Sequence, residues 1–140
     1  MIIKRETTAF ELGSKLVELL HDELLKSDKP CVGPVILNFR DPSYSAETGG
    51  YRPVEISIDQ SGEVQYITEF TYFGIQPFAE LGKSSDFDFS ERRFQNEYHA
   101  YPITEHGVES YYRLWEQNFC SYTEMGVFDV KISVEESSYV

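Results

Sequence analysis

The sequence has little cysteine and no long apolar segment. Its only cysteines, Cys31 and Cys120, lie far apart, and neither belongs to a CxxC pair. No apolar run approaches the roughly 20 residues of a membrane-spanning helix, and no apolar stretch typical of a secretory signal follows Met1. We therefore expect a cytoplasmic protein with two reduced, mostly buried thiols, and a disulfide only if the protein is exported by another route.

Basic residues are also scarce. The 12 Lys and Arg residues face 24 Asp and Glu residues, which gives a net charge of −12. The acidic excess is spread along the chain, which is typical of a solubility feature. It also repels nucleic-acid phosphate and anionic lipid and attracts basic partners. We therefore expect no nucleic-acid or membrane partner, and any protein partner is expected to be basic.

Motifs for metal binding, covalent catalysis and phosphate binding are missing. The histidines never occur in HxxxH or HExxH spacing, and a zinc site needs three or four converging ligands. Asp86 and Asp88 are spaced like the start of a calcium loop but lack its glycine and terminal glutamate. No GxSxG elbow surrounds Ser43 or Ser45. The sequence therefore predicts no metal, no cofactor and no catalytic residue.

Aromatic residues, by contrast, are plentiful, with ten Phe, ten Tyr and one Trp in 140 residues. This content excludes intrinsic disorder. The length suits one domain over 1–140 with a single core.

Two segments have helical periodicity. The first covers about 9–27, with Thr7 or Thr8 as the cap and Glu11 completing a capping box. Its apolar face is broad enough to be buried on two sides, by its own sheet and by a partner subunit. The second covers about 105–124, with Thr104 as the cap and Gly126 as the stop.

Four segments alternate or run apolar as strands do, at 35–39, 54–58, 63–73 and 127–135. The strand at 63–73 has aromatic or apolar residues on both faces, so the second face needs a helix or another subunit to cover it. Phe87 and Phe89 alternate with acids, which favours a short half-exposed strand, and 91–103 is a further candidate strand. Short links favour antiparallel pairing. The predicted class is α+β: an antiparallel meander flanked by an N-terminal helix and a late helix, ending in a strand.

The loop between the first two strands is the candidate binding site. It combines a turn with charged and aromatic residues of the kinds that binding sites favour. Tyr44 and Tyr51 are the predicted anchors. The full candidate set is Arg40, Asp41, Tyr44, Glu47, Tyr51, Arg52 and Glu55.

Two interpretations of the loop acids remain open. Asp41, Glu47 and Glu55 could converge for acid–base chemistry or ligand binding. Alternatively, Asp41 caps its own turn and the arginines pair with the acids, so that the loop rigidifies itself. The leading hypothesis is a non-enzymatic, acidic, self-associating protein that binds a protein partner. The alternative is a small enzyme or ligand-binding domain that uses the loop carboxylates.

Several segments resemble the signature of a family of uncharacterised small proteins from marine and enteric gamma-proteobacteria, often found on genomic islands. The most specific is 38–47, Asn-Phe-Arg-Asp-Pro-Ser-Tyr-Ser-Ala-Glu, followed by 49–56, Gly-Gly-Tyr-Arg-Pro-Val-Glu-Ile. Further matching pieces are 66–70, 86–89 and 114–119. Arg52 departs from the family pattern, in which histidine is expected. The genomic-island association suggests a phage-defence or anti-defence accessory role as a third possibility.

The fold of that family is similar to the mitochondrial acidic matrix protein that is also described as a receptor for complement globular heads. The resemblance implies an antiparallel sheet with terminal helices and a homo-oligomer, namely an acidic trimeric ring. The present chain differs in being shorter and in ending with a strand. Similarity of fold does not transfer function.

Overall fold

The computed structural model describes residues 1–28 and 33–134. It contains two helices, α1 (Ser14–Lys26) and α2 (Val108–Glu124). The strands are β1 (Val35–Arg40), β2 (Val54–Ile58), β3 (Val64–Phe73), β4 (Glu80–Asp88), β5 (Arg93–Asn96), β6 (Ala100–Pro102) and β7 (Asp129–Val134). The predicted α+β class, with an N-terminal helix, an antiparallel meander, a late helix and a final strand, is confirmed.

The strands form one antiparallel sheet in the order β6-β5-β4-β3-β2-β1-β7. Strands β1 to β6 are therefore a simple meander. The final strand returns to the far side of β1, where Phe39 lies opposite Val130. Because β6 and β7 occupy opposite edges, the segment that contains α2 must cross the sheet. This crossing places α2 over the sheet face and creates the site described below.

One face of the sheet is apolar and covered by the helices. A row of directly paired residues crosses five strands, and all of them are buried: Leu37, Ile56, Ile67, Phe87 and Phe94. The α2 side chains lie on this row, with the Tyr112 and Trp115 rings 4.9 and 5.9 Å from the Phe87 ring. The buried apolar residues of the described chain form one core.

The opposite face is polar. Its matching row is Asn38, Glu55, Thr68, Asp86 and Gln95. Thr68 and Asp86 are only 2% and 5% exposed, and the Thr68 hydroxyl donates a 2.7 Å hydrogen bond to Asp86 Oδ1. Lys83 Nζ lies 3.2 Å from the other oxygen of Asp86. Burial of these polar groups is therefore matched by partners.

The start of α1 corrects the prediction. The helix begins at Ser14 rather than near residue 9, and its N-cap Gly13 has no side-chain cap of its own. The Thr7 hydroxyl instead closes a turn with Phe10. A carboxylate from α2 replaces the expected capping box, because Glu116 Oε2 accepts the Gly13 amide at 2.9 Å. A contact with a distant residue therefore caps α1 in place of the local capping residues that the sequence predicted.

The start of α2 also differs. It begins at Val108 after the N-cap Gly107, whose φ is 89°, so Thr104 is not its cap. The predicted stop is confirmed: Gly126 has φ 78°, and its amide bonds the Thr123 carbonyl at 3.0 Å. Positive φ at this position is the usual reason for a glycine after a helix.

The middle of the chain holds more strand than predicted. Phe87 and Phe89 are 0% and 1% exposed rather than half-exposed, because Tyr112 covers both rings. The segment 91–103 is two strands, β5 and β6, separated by a turn in which Asn96 Oδ1 accepts two backbone amides. Cys31, Glu135 and the final residues 136–140 lie outside the described residues.

The broad apolar face of α1 is buried largely within its own chain. Leu16 and Leu20 are fully buried, as is Leu12 just before the helix, and Val17 is 7% exposed. Leu19 and Leu24 are half-buried against the core, and the neighbouring Leu25 is 83% exposed. Coverage of this helix by a partner subunit stays a prediction.

Candidate functional site

The loop between β1 and β2 is organised by Asp41. Its Oδ1 accepts the backbone amide and hydroxyl of Ser43 at 2.9 and 2.7 Å. Its Oδ2 accepts the backbone amide of Tyr51 at 2.9 Å. The hydrogen bond from the Ser43 hydroxyl, followed by those from the two amides, lowers the pKa of Asp41. Asp41 therefore ties both ends of the loop together, as the self-rigidifying interpretation expects.

The two predicted anchor tyrosines are half-buried and pack against other aromatic rings of the chain. The Tyr44 ring stacks on Tyr72 at 5.3 Å, and its hydroxyl lies 3.1 Å from the hydroxyl of Thr71. The Tyr51 ring lies 4.7 Å from that of Tyr122 on α2. These rings join the loop to β3 and to α2, and their role as contacts for a partner stays a prediction.

The loop carboxylates are not brought together. Glu55 lies on the polar face of the sheet, opposite Asn38, and accepts the Tyr66 hydroxyl. Glu47 is exposed, and Asp41 bonds its own loop. Arg40 is exposed at the end of β1, opposite Asp129. The predicted residues therefore do not form one site. Some lie in the loop and Glu55 lies on the polar face, whereas Arg52 lines a separate cavity beside α2.

The cavity that Arg52 lines is part of a groove between α2 and strands β2 to β5, which we call the α2 groove. It consists of two adjoining cavities of about 200 and 370 Å³, which share Arg52 and Tyr111. Trp115, Asn118 and Phe119 of α2 form one wall, and Val54, Glu69 and Ser84 are on the sheet side. The groove follows from the crossing of α2 over the sheet.

Glu69 is the polar centre of the α2 groove. Its side chain is 19% exposed. Trp115 Nε1 donates to Oε1 at 3.1 Å, and the Ser84 hydroxyl donates to Oε2 at 2.9 Å. Arg52 Nη1 lies 3.4 Å from Oε2 and is the weakest of the three contacts. The site therefore holds a fixed carboxylate with one easily displaced cationic partner.

Strand alternation and a bulge place Glu69 there. Ile56 pairs with Ile67, and Val54 pairs with Glu69 two residues later, so Glu69 points to the helix-covered face. The pairing of β3 with β4 shifts register directly after Glu69. Such an irregularity re-aims side chains, and Ser84 and Ser85 both reach the groove.

Exposed apolar side chains line the opening of the α2 groove. Tyr98 is 82% exposed, Leu114 57%, Tyr111 43% and Tyr122 36%. The Tyr111 hydroxyl is held 2.8 Å from that of Ser85. Hydroxyl, amide, carboxylate and guanidinium groups beside aromatic rings suit binding by apolar contact with a few orienting hydrogen bonds.

Sequence reasoning assigned no functional role to Glu69 or to Trp115. One signal could have found Glu69, because it continues the core-facing alternation of Ile67 as a charged residue. A charge at a core-facing position needs a partner or a function. The partners themselves come from β4 and α2, which strand periodicity does not locate.

The described residues show neither a metal site nor a membrane span. Within 1–28 and 33–134, no group of three or more His, Cys, Asp or Glu residues is placed to hold a metal ion. No helix in that part of the chain is long and apolar enough to cross a bilayer. The cytoplasmic location stays a prediction.

Solved structures of similar proteins come from Vibrio cholerae. The hypothetical protein VC0508 of the VSP-II pathogenicity island is 33% identical, with a TM-score of 0.82 over 94% of this chain and 99% of that one. The conserved hypothetical protein VC1805 of pathogenicity island VPI-2 is 34% identical, with a TM-score of 0.78 over 94% of this chain and all of that one. VC1805 is described as sharing structural homology with the human P32 protein.

The family resemblance inferred from the sequence is confirmed by these structures and by a family model. No curated protein matches the chain. The model of the family described as "Protein of unknown function (DUF2787)" matches residues 14–133, which include both helices and nearly the whole sheet. The chain therefore belongs to the DUF2787 family of proteins of unknown function.

Proposed function

We propose that this chain is a non-enzymatic, acidic protein-binding protein that self-associates, and that its α2 groove receives an extended segment of a protein partner. The observation that carries the proposal is the row of exposed apolar side chains along a recess with a fixed polar centre. Exposed apolar surface of this kind marks interaction sites, and a few convergent polar groups give a site its specificity.

The dimensions of the groove favour an extended segment. Its helical wall runs from Tyr111 to Tyr122, which is about 17 Å at 1.5 Å per residue. A strand-like peptide of about five residues covers that distance. Side chains at alternate positions of such a peptide could enter the two cavities.

Charge favours a basic partner. The chain carries a net charge of −12, and complementary charge raises association rates and discriminates between partners. At the centre of the groove, Arg52 lies 3.4 Å from Glu69 and its side chain is 47% exposed. A partner's Arg or Lys could therefore replace Arg52 as the counter-ion of Glu69.

Site-specific photo-crosslinking tests this proposal. A photoreactive phenylalanine analogue is placed at Leu114 in the groove or, as the control, at Leu25 of α1. Both positions are exposed, at 57% and 83%, and both lie on helices. The partner crosslinked from position 114 is identified, purified and titrated against Leu114→Ser and Leu25→Ser variants.

We expect a crosslink from position 114 alone. We also expect Leu114→Ser to weaken the purified partner's binding about tenfold or more, since loss of a buried apolar side chain costs about 1.5 kcal/mol or more. Leu25→Ser should bind like the wild type. Equal crosslinking from both positions, or equal affinity of the two variants, would argue against the groove as the binding site.

The groove also favours a second candidate, a small-ligand site or enzyme. Glu69 is mostly buried beside a cavity and is oriented by an indole and a hydroxyl, as binding carboxylates often are. This version uses Glu69 rather than Asp41, Glu47 and Glu55. Thermal stabilisation by a metabolite that is lost in Glu69→Gln would support it, and no stabilisation across a broad metabolite set would count against it.

A further inference from the structure

The large exposed apolar side chains of the described chain gather mainly in two places. One is the opening of the α2 groove. The other is the tip of the β3–β4 hairpin, where Ile75 is 83% exposed, Phe78 81% and Leu81 41%. Water-exposed clusters of this kind are uncommon unless something covers them. The two clusters also differ in shape, because one is recessed and the other protrudes.

The hairpin protrudes because β3 and β4 extend beyond the ends of the neighbouring strands β2 and β5. The pairing of β2 with β3 ends at Glu69, and the pairing of β4 with β5 ends at Ser85. The Phe70 amide still donates to the Pro53 carbonyl at 2.9 Å, and beyond it residues 71–73 of β3 pair only with residues 80–82 of β4. The two strands therefore extend past the rest of the sheet as a two-stranded arm.

The tip of the arm is a hydrogen-bonded turn without charged residues. The Phe78 amide donates to the Ile75 carbonyl at 2.7 Å, which closes the turn. The sequence from residue 74 to residue 79 is Gly-Ile-Gln-Pro-Phe-Ala. A turn that displays two large apolar side chains without charge is suited to insertion into an apolar recess.

We propose that the hairpin tip of one copy of this chain inserts into the α2 groove of a second copy. This inference rests on the proposed function, because it uses the groove as a binding site and names the chain itself as one occupant. Phe78 and Ile75 enter between Tyr111, Leu114 and Tyr98. Each copy then offers one tip and one groove, so the contact is head-to-tail and closes into a ring or continues as a filament.

Charge explains why the second copy would use this contact despite its acidity. Two chains of net charge −12 repel each other at long range, but salt at physiological strength screens this beyond about 8 Å. The inserted tip carries no charge. Glu80, the first charged residue after it, is opposite in sign to Arg52 of the groove.

The test measures solution mass by sedimentation equilibrium over a range of concentrations at low and high salt. Phe78→Ser removes the tip, Leu114→Ser alters the groove, and Leu25→Ser is the matched control at an exposed position of α1. All three residues are more than half exposed, and circular dichroism checks each fold. The critical sample is an equimolar mixture of the Phe78→Ser and Leu114→Ser variants.

We expect the wild type and Leu25→Ser to form species heavier than the 16.2 kDa chain. Phe78→Ser and Leu114→Ser should each associate at least about tenfold more weakly. Their mixture should form a heterodimer, because the intact tip of the Leu114→Ser chain fits the intact groove of the Phe78→Ser chain. A symmetric interface in which each copy needs both residues would give no such recovery.

A wild type that stays at 16.2 kDa at every concentration would overturn the inference, as would unimpaired association of Phe78→Ser. A mixture that stays monomeric would also overturn it. The proposed function fails separately, through the crosslinking from Leu114. A monomeric wild type that still crosslinks a different protein from that position would remove the tip-in-groove contact and leave the groove as a binding site.

Discussion

Glu116, which is part of α2, and Glu69, which contacts α2 from the sheet, are both mostly buried glutamates, but their surroundings differ. Glu116 is 12% exposed and lies between the helices, where its Oε2 accepts the Gly13 amide at 2.9 Å and the Tyr112 hydroxyl at 2.6 Å. Glu69 is 19% exposed and lies on the sheet at the floor of the α2 groove. Both carboxylates have several partners, so burial alone does not separate a structural acid from a binding one.

The difference lies in what could replace each partner. The hydrogen-bond donors to Glu116 are a helix-cap amide and a buried phenol, and Arg113 Nη1 lies farther away, 4.0 Å from Oε1. Burial and the neighbouring Glu116 raise the pKa of Tyr112 well above its ordinary value. The donors to Glu69 adjoin an open cavity, and Arg52 is half exposed, so water or a ligand could substitute. A closed network stabilises a fold, whereas an open one is available for function.

Replacement of Glu116 should have the largest effect. Glu116→Ala leaves the Tyr112 hydroxyl and the Gly13 amide without their acceptor, and an unmade hydrogen bond in a buried place costs about 1–3 kcal/mol. We expect a loss of about 3 kcal/mol in the free energy of unfolding, measured by urea denaturation. Glu116→Gln, which keeps an acceptor oxygen, should lose less. A change below about 0.5 kcal/mol in Glu116→Ala would refute a structural role.

A methyl group at Gly13 should disturb the same network by a different route. A Cβ at this position would lie 2.2 Å from Glu116 Oε1, while the backbone φ of −66° suits any residue. Gly13→Ala should therefore cost about 1–2 kcal/mol by displacing the carboxylate. In a double-mutant cycle with Glu116→Ala, the two losses should be clearly less than additive. Full additivity would show that the alanine acts elsewhere.

Replacement of Glu69 should sharpen the contrast. Because water in the groove can satisfy Ser84 and Arg52, Glu69→Ala should cost only about 1 kcal/mol. Its main effect should be on the groove, where the indole of Trp115, the chain's single tryptophan, loses its acceptor. We expect a shift in native-state tryptophan fluorescence that Glu116→Gln does not produce. A stability loss equal to that of Glu116→Ala would erase the distinction between the two acids.

The fold was predictable where the sequence of a single strand or helix determines its own structure. Val54, Ile56 and Ile58 alternate cleanly and are buried as predicted, and Gly126 ends α2 where a positive φ is needed. The prediction was wrong where a distant element decides. The predicted capping box does not cap α1, because Glu116, which lies 103 residues from Gly13, accepts the Gly13 amide instead. Phe87 and Phe89 are buried because of a helix more than 18 residues further on.

The candidate site shows the same limit. The loop around Asp41 was recognisable because its turn chemistry is local, and its hydrogen bonds match that interpretation. The α2 groove was not, since its centre joins Glu69 of β3 to Ser84 of β4 and Trp115 of α2. Arg52 links the two, because it was predicted with the loop and lies in the groove. The residue pattern of one segment cannot predict which residues of other segments will lie beside it, so the groove could not be predicted from the sequence.

Asp41 extends the comparison to a third carboxylate, which is only half-buried and should have the smallest effect. Its hydrogen bonds lower its pKa below the ordinary value of about 3.9. A carboxylate with a lowered folded-state pKa contributes stability that is complete above the unfolded-state pKa and is lost as the pH falls through the folded one. We expect the Tyr51 amide to be protected from hydrogen exchange from pH 7 down to the ordinary carboxyl pKa of about 3.9 and to lose that protection only as the pH falls below it.

Asp41→Ala should remove this protection at every pH while the midpoint of urea unfolding changes less than in Glu69→Ala. Glu47→Ala, at an exposed position of the same loop, is the matched control and should leave the Tyr51 amide protected. Hydrogen exchange read by NMR follows both loop ends at once, since Ser43 and Tyr51 both donate to Asp41. Protection of Tyr51 that survives in Asp41→Ala would mean that its packing on Tyr122, rather than the carboxylate, holds the loop.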